Sequence, residues 1–146
     1  MGSTRWKRWM FIFPCWLCLV AGFSSSCTLF GGQKSDDQGL LLAAESFNQA
    51  LRWEDYKSAL AWIAPAARGE FMDQVDRLQD RVRIMGYQVM DAGISGLSGN
   101  VTLRFRFYQK QNPQLQTRTL RQQWLFSEQD RAWQVVRNDL QLLMPE

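Results

Sequence analysis

The stretch NVTLRFRFYQ, Asn100 to Gln109, decides how the rest of the chain is read. Val101, Leu103, Phe105 and Phe107 alternate with Thr102, Arg104, Arg106 and Tyr108. Successive strand side chains point to opposite faces, so this is a strand with one apolar and one polar face. Such a strand belongs in an antiparallel sheet covered on one side, since parallel strands covered on both sides read as unbroken apolar runs. Toward the C-terminus, a loop around Gln111 to Pro113 leads into a strand from Gln116 to Ser127. There Leu120, Trp124 and Phe126 alternate with Thr119, Arg121 and Gln123. A turn at Glu128 to Arg131 and a last strand from Ala132 to about Leu140 complete an antiparallel meander. Toward the N-terminus, a first strand is expected from Tyr87 to Ala92, with GISGLSG, Gly93 to Gly99, as a loop or a bulged continuation.

Before Gly86 the period is helical. Leu40, Ala44, Phe47 and Leu51 share one face of a helix over residues 40–52. Tyr56, Leu60 and Ile63 mark a short second helix closed by Pro65, because a proline disfavours helix in the residue before it. Phe71, Val75, Leu78 and Val82 make the stripe of a third over 66–83. The charges on its other face, Asp73 and Arg77 among them, read as a solvated surface with i,i+4 pairs. Three helices followed by about four antiparallel strands is an α+β arrangement, with the helices on one face of a curved sheet.

A chain of 146 residues has room for one such domain and a targeting segment. It contains no histidine, and Cys15, Cys18 and Cys27 all precede residue 28. That removes histidine triads and most transition-metal sites, and neither a metal nor another cofactor is expected. The net charge of +3 is supplied by Arg5, Lys7 and Arg8 near the start, and beyond them basic and acidic side chains balance. The domain thus has no overall field to draw it to nucleic acid, which is not expected as a partner.

The N-terminus runs from the basic MGSTRWKRWM through the apolar FIFPCWLCLVAGF to Ser24, Ser25, Ser26 and Cys27, the layout of an export signal over residues 1–26. The apolar run falls short of the roughly 20 residues of a membrane span, and Pro14 interrupts it. Ser25, Ser26 and Cys27 resemble the lipobox of bacterial lipoproteins, departing from it at Ser24, where leucine is usual. The resemblance implies a diacylglyceryl group and palmitate on Cys27, with Thr28 in place of Asp favouring the periplasmic face of the outer membrane. The lack of a second cysteine in the processed chain agrees with that role. Simple secretion after cleavage at Ser26 is the alternative. Cys27 and the Gly- and Ser-containing residues to Gly39 then form a lipidation site and tether, leaving residues 40–146 as the domain.

The helix AAESFNQAL, the phrase WEDYKSALAWIAP and the closing hairpin QQWLFSEQDRAWQVV resemble the cystatin-like cone of the nuclear transport factor 2-like superfamily. The resemblance covers residues 40–140 and implies a space between helices and sheet that some members use as an enzyme site and others for a ligand or partner. The chemistry available to an enzyme reading is a carboxylate with Tyr or Arg. Asp91 and Asp139 are the carboxylates at strand positions, near strand ends, where a general base competes with an ordinary solvated turn residue. The binding reading rests on Arg104, Arg106 and Arg121, gathered by antiparallel pairing into a patch for an anion or an acidic envelope protein. An ordinary solvated face is its competitor. Trp53, Trp62, Trp124 and Trp133 are expected as core fillers and hairpin partners. The expectation for function is an envelope lipoprotein with a small non-catalytic binding domain.

Overall fold

The computed structural model describes residues 32–144, with the backbone alone for 32–37. The export signal and Cys27 lie outside the described residues. The chain order is α1 (Gly32–Arg52), α2 (Tyr56–Leu60), a 3-10 turn (Pro65–Ala67), α3 (Arg68–Leu78), β1 (Val82–Ser95), β2 (Ser98–Gln109), β3 (Asn112–Ser127), β4 (Ala132–Asn138) and a final 3-10 turn (Leu140–Leu143). The four strands form one antiparallel meander in sequence order, the α+β arrangement expected from the alternating periods.

The alternation on β2 holds throughout, with Val101, Leu103, Phe105 and Phe107 fully buried and Arg104 and Arg106 exposed. Opposite this face, α1 lays Leu40, Ala44, Phe47 and Leu51 into the core, and α3 adds Phe71, Val75 and Leu78. Phe47 meets the Trp124 ring edge-on at 5.9 Å and lies 6.0 Å from Phe71, so aromatic side chains fill the space between helices and sheet. Trp62 to Ala64 run beside β4. Val135 N–H donates to the Trp62 carbonyl at 2.8 Å, and Ala64 N–H donates to the Val135 carbonyl at 2.9 Å. This short parallel bridge covers part of an edge that would otherwise recruit other strands.

Several boundaries differ from the sequence expectation. Helix α1 begins at Gly32, so the last residues assigned to the tether are helical. No proline interrupts Gln33 to Gln38, and a helix already anchored by its buried face extends into such residues at little cost. Helix α3 ends at Leu78, and Val82 opens β1. The turn between them is held by partners distant in sequence: Lys110 Nζ donates to the Gln79 carbonyl and Lys110 N–H to that of Arg81. Asp73 and Arg77 do not pair; among the described residues the ion pairs join Glu54 to Arg83 and Lys110.

Strand β1 is much longer than Tyr87–Ala92 because register shifts at Met85 and Met90 reset its alternation twice. The inward positions become Ile84, Tyr87, Val89 and Ala92, a spacing that no single period of two describes. GISGLSG is neither a loop nor bulged: Gly93 to Ser95 pair with Ser98 to Asn100 in unbroken register, and β1 and β2 join through Gly96 and Leu97, where Gly96 takes φ +60°. That positive angle at the first turn position is the one a two-residue hairpin asks of glycine. Strand β3 starts at Asn112, with Pro113 at its tip beside a register shift, where a missing N–H costs no ladder bond. Trp53 is no core filler. It is 61% exposed, with the Arg52 guanidinium 5.4 Å from its ring.

Candidate functional site

The outward face of the sheet is built from rows fixed by strand register. Gly86, Arg106 and Thr117 form one row, Gln88, Arg104 and Thr119 the next, and Asp91, Thr102 and Arg121 the third. Arg104 and Arg106 share a hollow of about 310 Å³ with Tyr87, Gln88 and Thr117. Gly86 makes room in it, since a Cβ there would lie 3.3 Å from Arg106 Nη2. Arg121 lines a second hollow of about 220 Å³ with Gln123, Arg137 and Asp139. Arg104 and Arg121 are diagonal neighbours across β2 and β3, within reach of a common ligand. The three arginines singled out from the sequence therefore share one face, and Arg137 joins them. None of the four is in an ion pair among the described residues. Four guanidinium groups without carboxylate partners suit a carboxylate- or phosphate-bearing ligand.

The two singled-out carboxylates are not brought together. Asp91 is exposed on β1 opposite Thr102. Asp139 accepts a hydrogen bond from the Arg121 backbone N–H at 3.3 Å, which ties the end of β4 to β3. Neither faces the interior.

What the interior holds instead is an amide pair that alternation alone did not reveal. Asn48 on α1 and Gln122 on β3 are both fully buried. Gln122 Nε2 donates to Asn48 Oδ1 at 2.7 Å, and Asn48 Nδ2 donates to Gln122 Oε1 at 3.2 Å and to the Ala44 carbonyl at 2.6 Å. The only signal in the sequence was parity. Gln122 lies two residues from both Leu120 and Trp124 and so had to face inward. With Gln74 and Asn138, the buried polar residues among the described residues are all amides, which do not exchange protons near neutral pH. Among the described residues no group of His, Cys, Asp and Glu could hold a metal ion.

A carboxylate, a tyrosine and an arginine do meet at the end of α1. Glu54 takes φ +59°, the left-handed position that usually ends a helix as glycine. Glu54 N–H donates to the Leu51 carbonyl and Asp55 N–H to that of Ala50. Its carboxylate lies 2.8 Å from Arg83 Nη1 and 3.6 Å from Lys110 Nζ. Tyr56 is half-buried beside it, its hydroxyl without a partner, and burial followed by the Glu54 charge pushes its pKa up to about 12. The Glu54 carboxylate thus ties the end of α1 to Arg83 on β1 and to Lys110 just past β2, and the raised pKa keeps the neighbouring phenol protonated.

No protein-family profile and no curated protein matches the sequence. Solved structures do resemble the fold. A ketosteroid isomerase-like protein from Erwinia carotovora superposes with a TM-score of 0.58 at 13% identity, over 71% of this chain and 93% of that one. A protein of the nuclear transport factor 2-like family from Streptomyces avermitilis gives 0.55 at 15% identity, over 72% and 94%. A SEC-C motif protein from Rhodopseudomonas palustris gives 0.57 at 17% identity, over 66% and 74%. At these identities the likeness is one of fold: the chain has the α+β architecture seen in nuclear transport factor 2-like proteins.

Proposed function

We propose that this protein is a non-catalytic binding domain carried on the bacterial cell envelope by a lipid on Cys27, and that it binds an anionic ligand or acidic envelope protein through the arginine face. The observation that carries this reading is the filled interior. Phe47, Phe71, Phe105, Phe107 and Trp124 occupy the space between helices and sheet, and the buried polar groups beside them are amides. A substrate would find neither room nor an acid or base there. The unpaired guanidinium groups lie on the opposite side of the sheet. The lipid anchor rests on the Ser25, Ser26 and Cys27 signal and on the absence of cysteine from residues 28–146.

Two experiments test the proposal. Cys27→Ser should abolish labelling by a palmitate analogue and release the protein from the membrane fraction; unchanged labelling refutes the anchor. Arg104→Glu with Arg121→Glu should keep the circular dichroism spectrum and remove the partners recovered by crosslinking in the envelope. An unaltered partner set refutes the arginine face.

A further inference from the structure

The inward face of the sheet leaves the core at the end where β3 turns into β4. There Phe126 and Trp133, paired across the two strands, stack edge-to-face at 5.4 Å. Helix α1 passes above them and Trp62 stands at the β4 edge, leaving a cleft of about 400 Å³ lined in part by Leu42, Ser46, Trp62, Phe126, Arg131 and Trp133. A cavity of that size lies within the range of small-ligand sites, about 300–1,000 Å³.

Three features of the cleft bear on its occupant. Its walls are mainly aromatic and aliphatic, and Leu42 is 65% exposed on the wall supplied by α1. Gly39, in the middle of a helix where glycine costs about 1 kcal/mol against alanine, faces the Trp133 indole. A Cβ at that position would sit 3.6 Å from Nε1, so the glycine keeps a methyl group off the indole at the cleft wall, although the ring as a whole is only 6% exposed. Arg131 is the one charged residue of the lining, and it is in no ion pair among the described residues. An apolar wall with one uncompensated cation complements an apolar body that ends in a negative charge.

We propose that this cleft binds a small amphipathic carboxylate, its alkyl or aryl chain lying against Trp62, Phe126 and Trp133 and its carboxylate on the Arg131 guanidinium. The cleft is on the other side of the sheet from Arg104 and Arg121, so the failure of either proposal leaves the other standing.

The test is a titration of the chain, purified as the cell processes it, with decanoate, decanol and decyltrimethylammonium below their micelle concentrations, read by tryptophan fluorescence. Decanoate should give a saturable change and bind about tenfold or more tighter than decanol, and the cationic amphiphile should not saturate. Arg131→Gln should bring decanoate down to the affinity of decanol. Ser46→Phe, at an exposed position of the lining, should abolish binding with the fold intact by circular dichroism. Leu42→Asp should weaken decanoate more than decanol, and it serves in place of Ser46→Phe if that variant does not fold. No saturation with decanoate, equal affinity for decanoate and decanol, or decanoate binding indifferent to both Arg131→Gln and the cleft variants overturns the proposal.

Discussion

Replacing Gln122 by Met and Asn48 by Leu, singly and together, measures what the buried amide pair does for the fold. Each replacement is close in size to the residue it removes, so the cavity contribution is small. In Gln122→Met, Asn48 Nδ2 keeps the Ala44 carbonyl, but Asn48 Oδ1 loses its donor. One orphaned acceptor in a closed interior costs about 1–3 kcal/mol. In Asn48→Leu both ends of the Gln122 amide lose their partner, and two orphaned groups raise the cost to about 2–5 kcal/mol. The double replacement leaves nothing unpaired and buries apolar atoms against Phe47 and Trp124, so it should be less destabilised than Asn48→Leu alone. Urea unfolding followed by circular dichroism supplies the three free energies, and each kcal/mol corresponds to about 4–8 °C in Tm for a domain of this size. If the double variant loses the sum of the single losses to within about 0.5 kcal/mol, the two amides act independently and the argument from mutual satisfaction fails.

Gly99 is packed beneath α1, where a Cβ would lie 2.8 Å from Leu40 Cδ2 and 3.1 Å from Trp133 Cζ3. Both neighbours are buried, so Gly99→Ala should cost about 1–3 kcal/mol and alter the near-ultraviolet tryptophan signal; an unchanged midpoint would mean the core yields more easily than its packing implies. At Glu54, alanine keeps the left-handed strain and loses the ion pairs, whereas glycine loses the pairs and relieves the strain. Glu54→Gly should therefore be about 1 kcal/mol more stable than Glu54→Ala, and equal unfolding midpoints would refute the helix-end account. Tyr56 has a folded pKa raised from 10.0 to about 12 by burial and then by Glu54, and burial also raises that of Tyr87. The stability this contributes is complete below pH 10 and is lost as the pH climbs toward 12, because the unfolded phenol ionises first. The Tyr56 share is about 1 kcal/mol, discounted because the ring is half-exposed. Tyr56→Phe should flatten the fall in urea midpoint between pH 10 and 12, and a profile identical to the parent contradicts the shift.

The sequence by itself was enough for the fold class, because both periods it depends on are local. The spacing of Leu40, Ala44, Phe47 and Leu51 can bury only as a helix, and the alternation from Val101 to Phe107 only as a strand covered on one side. The common face of Arg104, Arg106 and Arg121 was legible for the same reason, since parity and antiparallel pairing set it. Arg137 was missed because its place opposite Gln123 depends on a register shift between β3 and β4. The shifts at Met85 and Met90 hid most of β1 in the same way: an extra residue exchanges inward and outward positions without leaving a mark of its own in composition. Trp53 and Gln122 show from opposite sides that residue type alone does not fix location. A large ring lies outside where helix α1 has ended, and a polar amide lies inside because Asn48 waits for it across the core. Whether the cone encloses a pocket or a packed interior was likewise a tertiary matter. Phe47, Phe71 and Trp124 come from three separate elements, and only their mutual approach decides that no space is left between them.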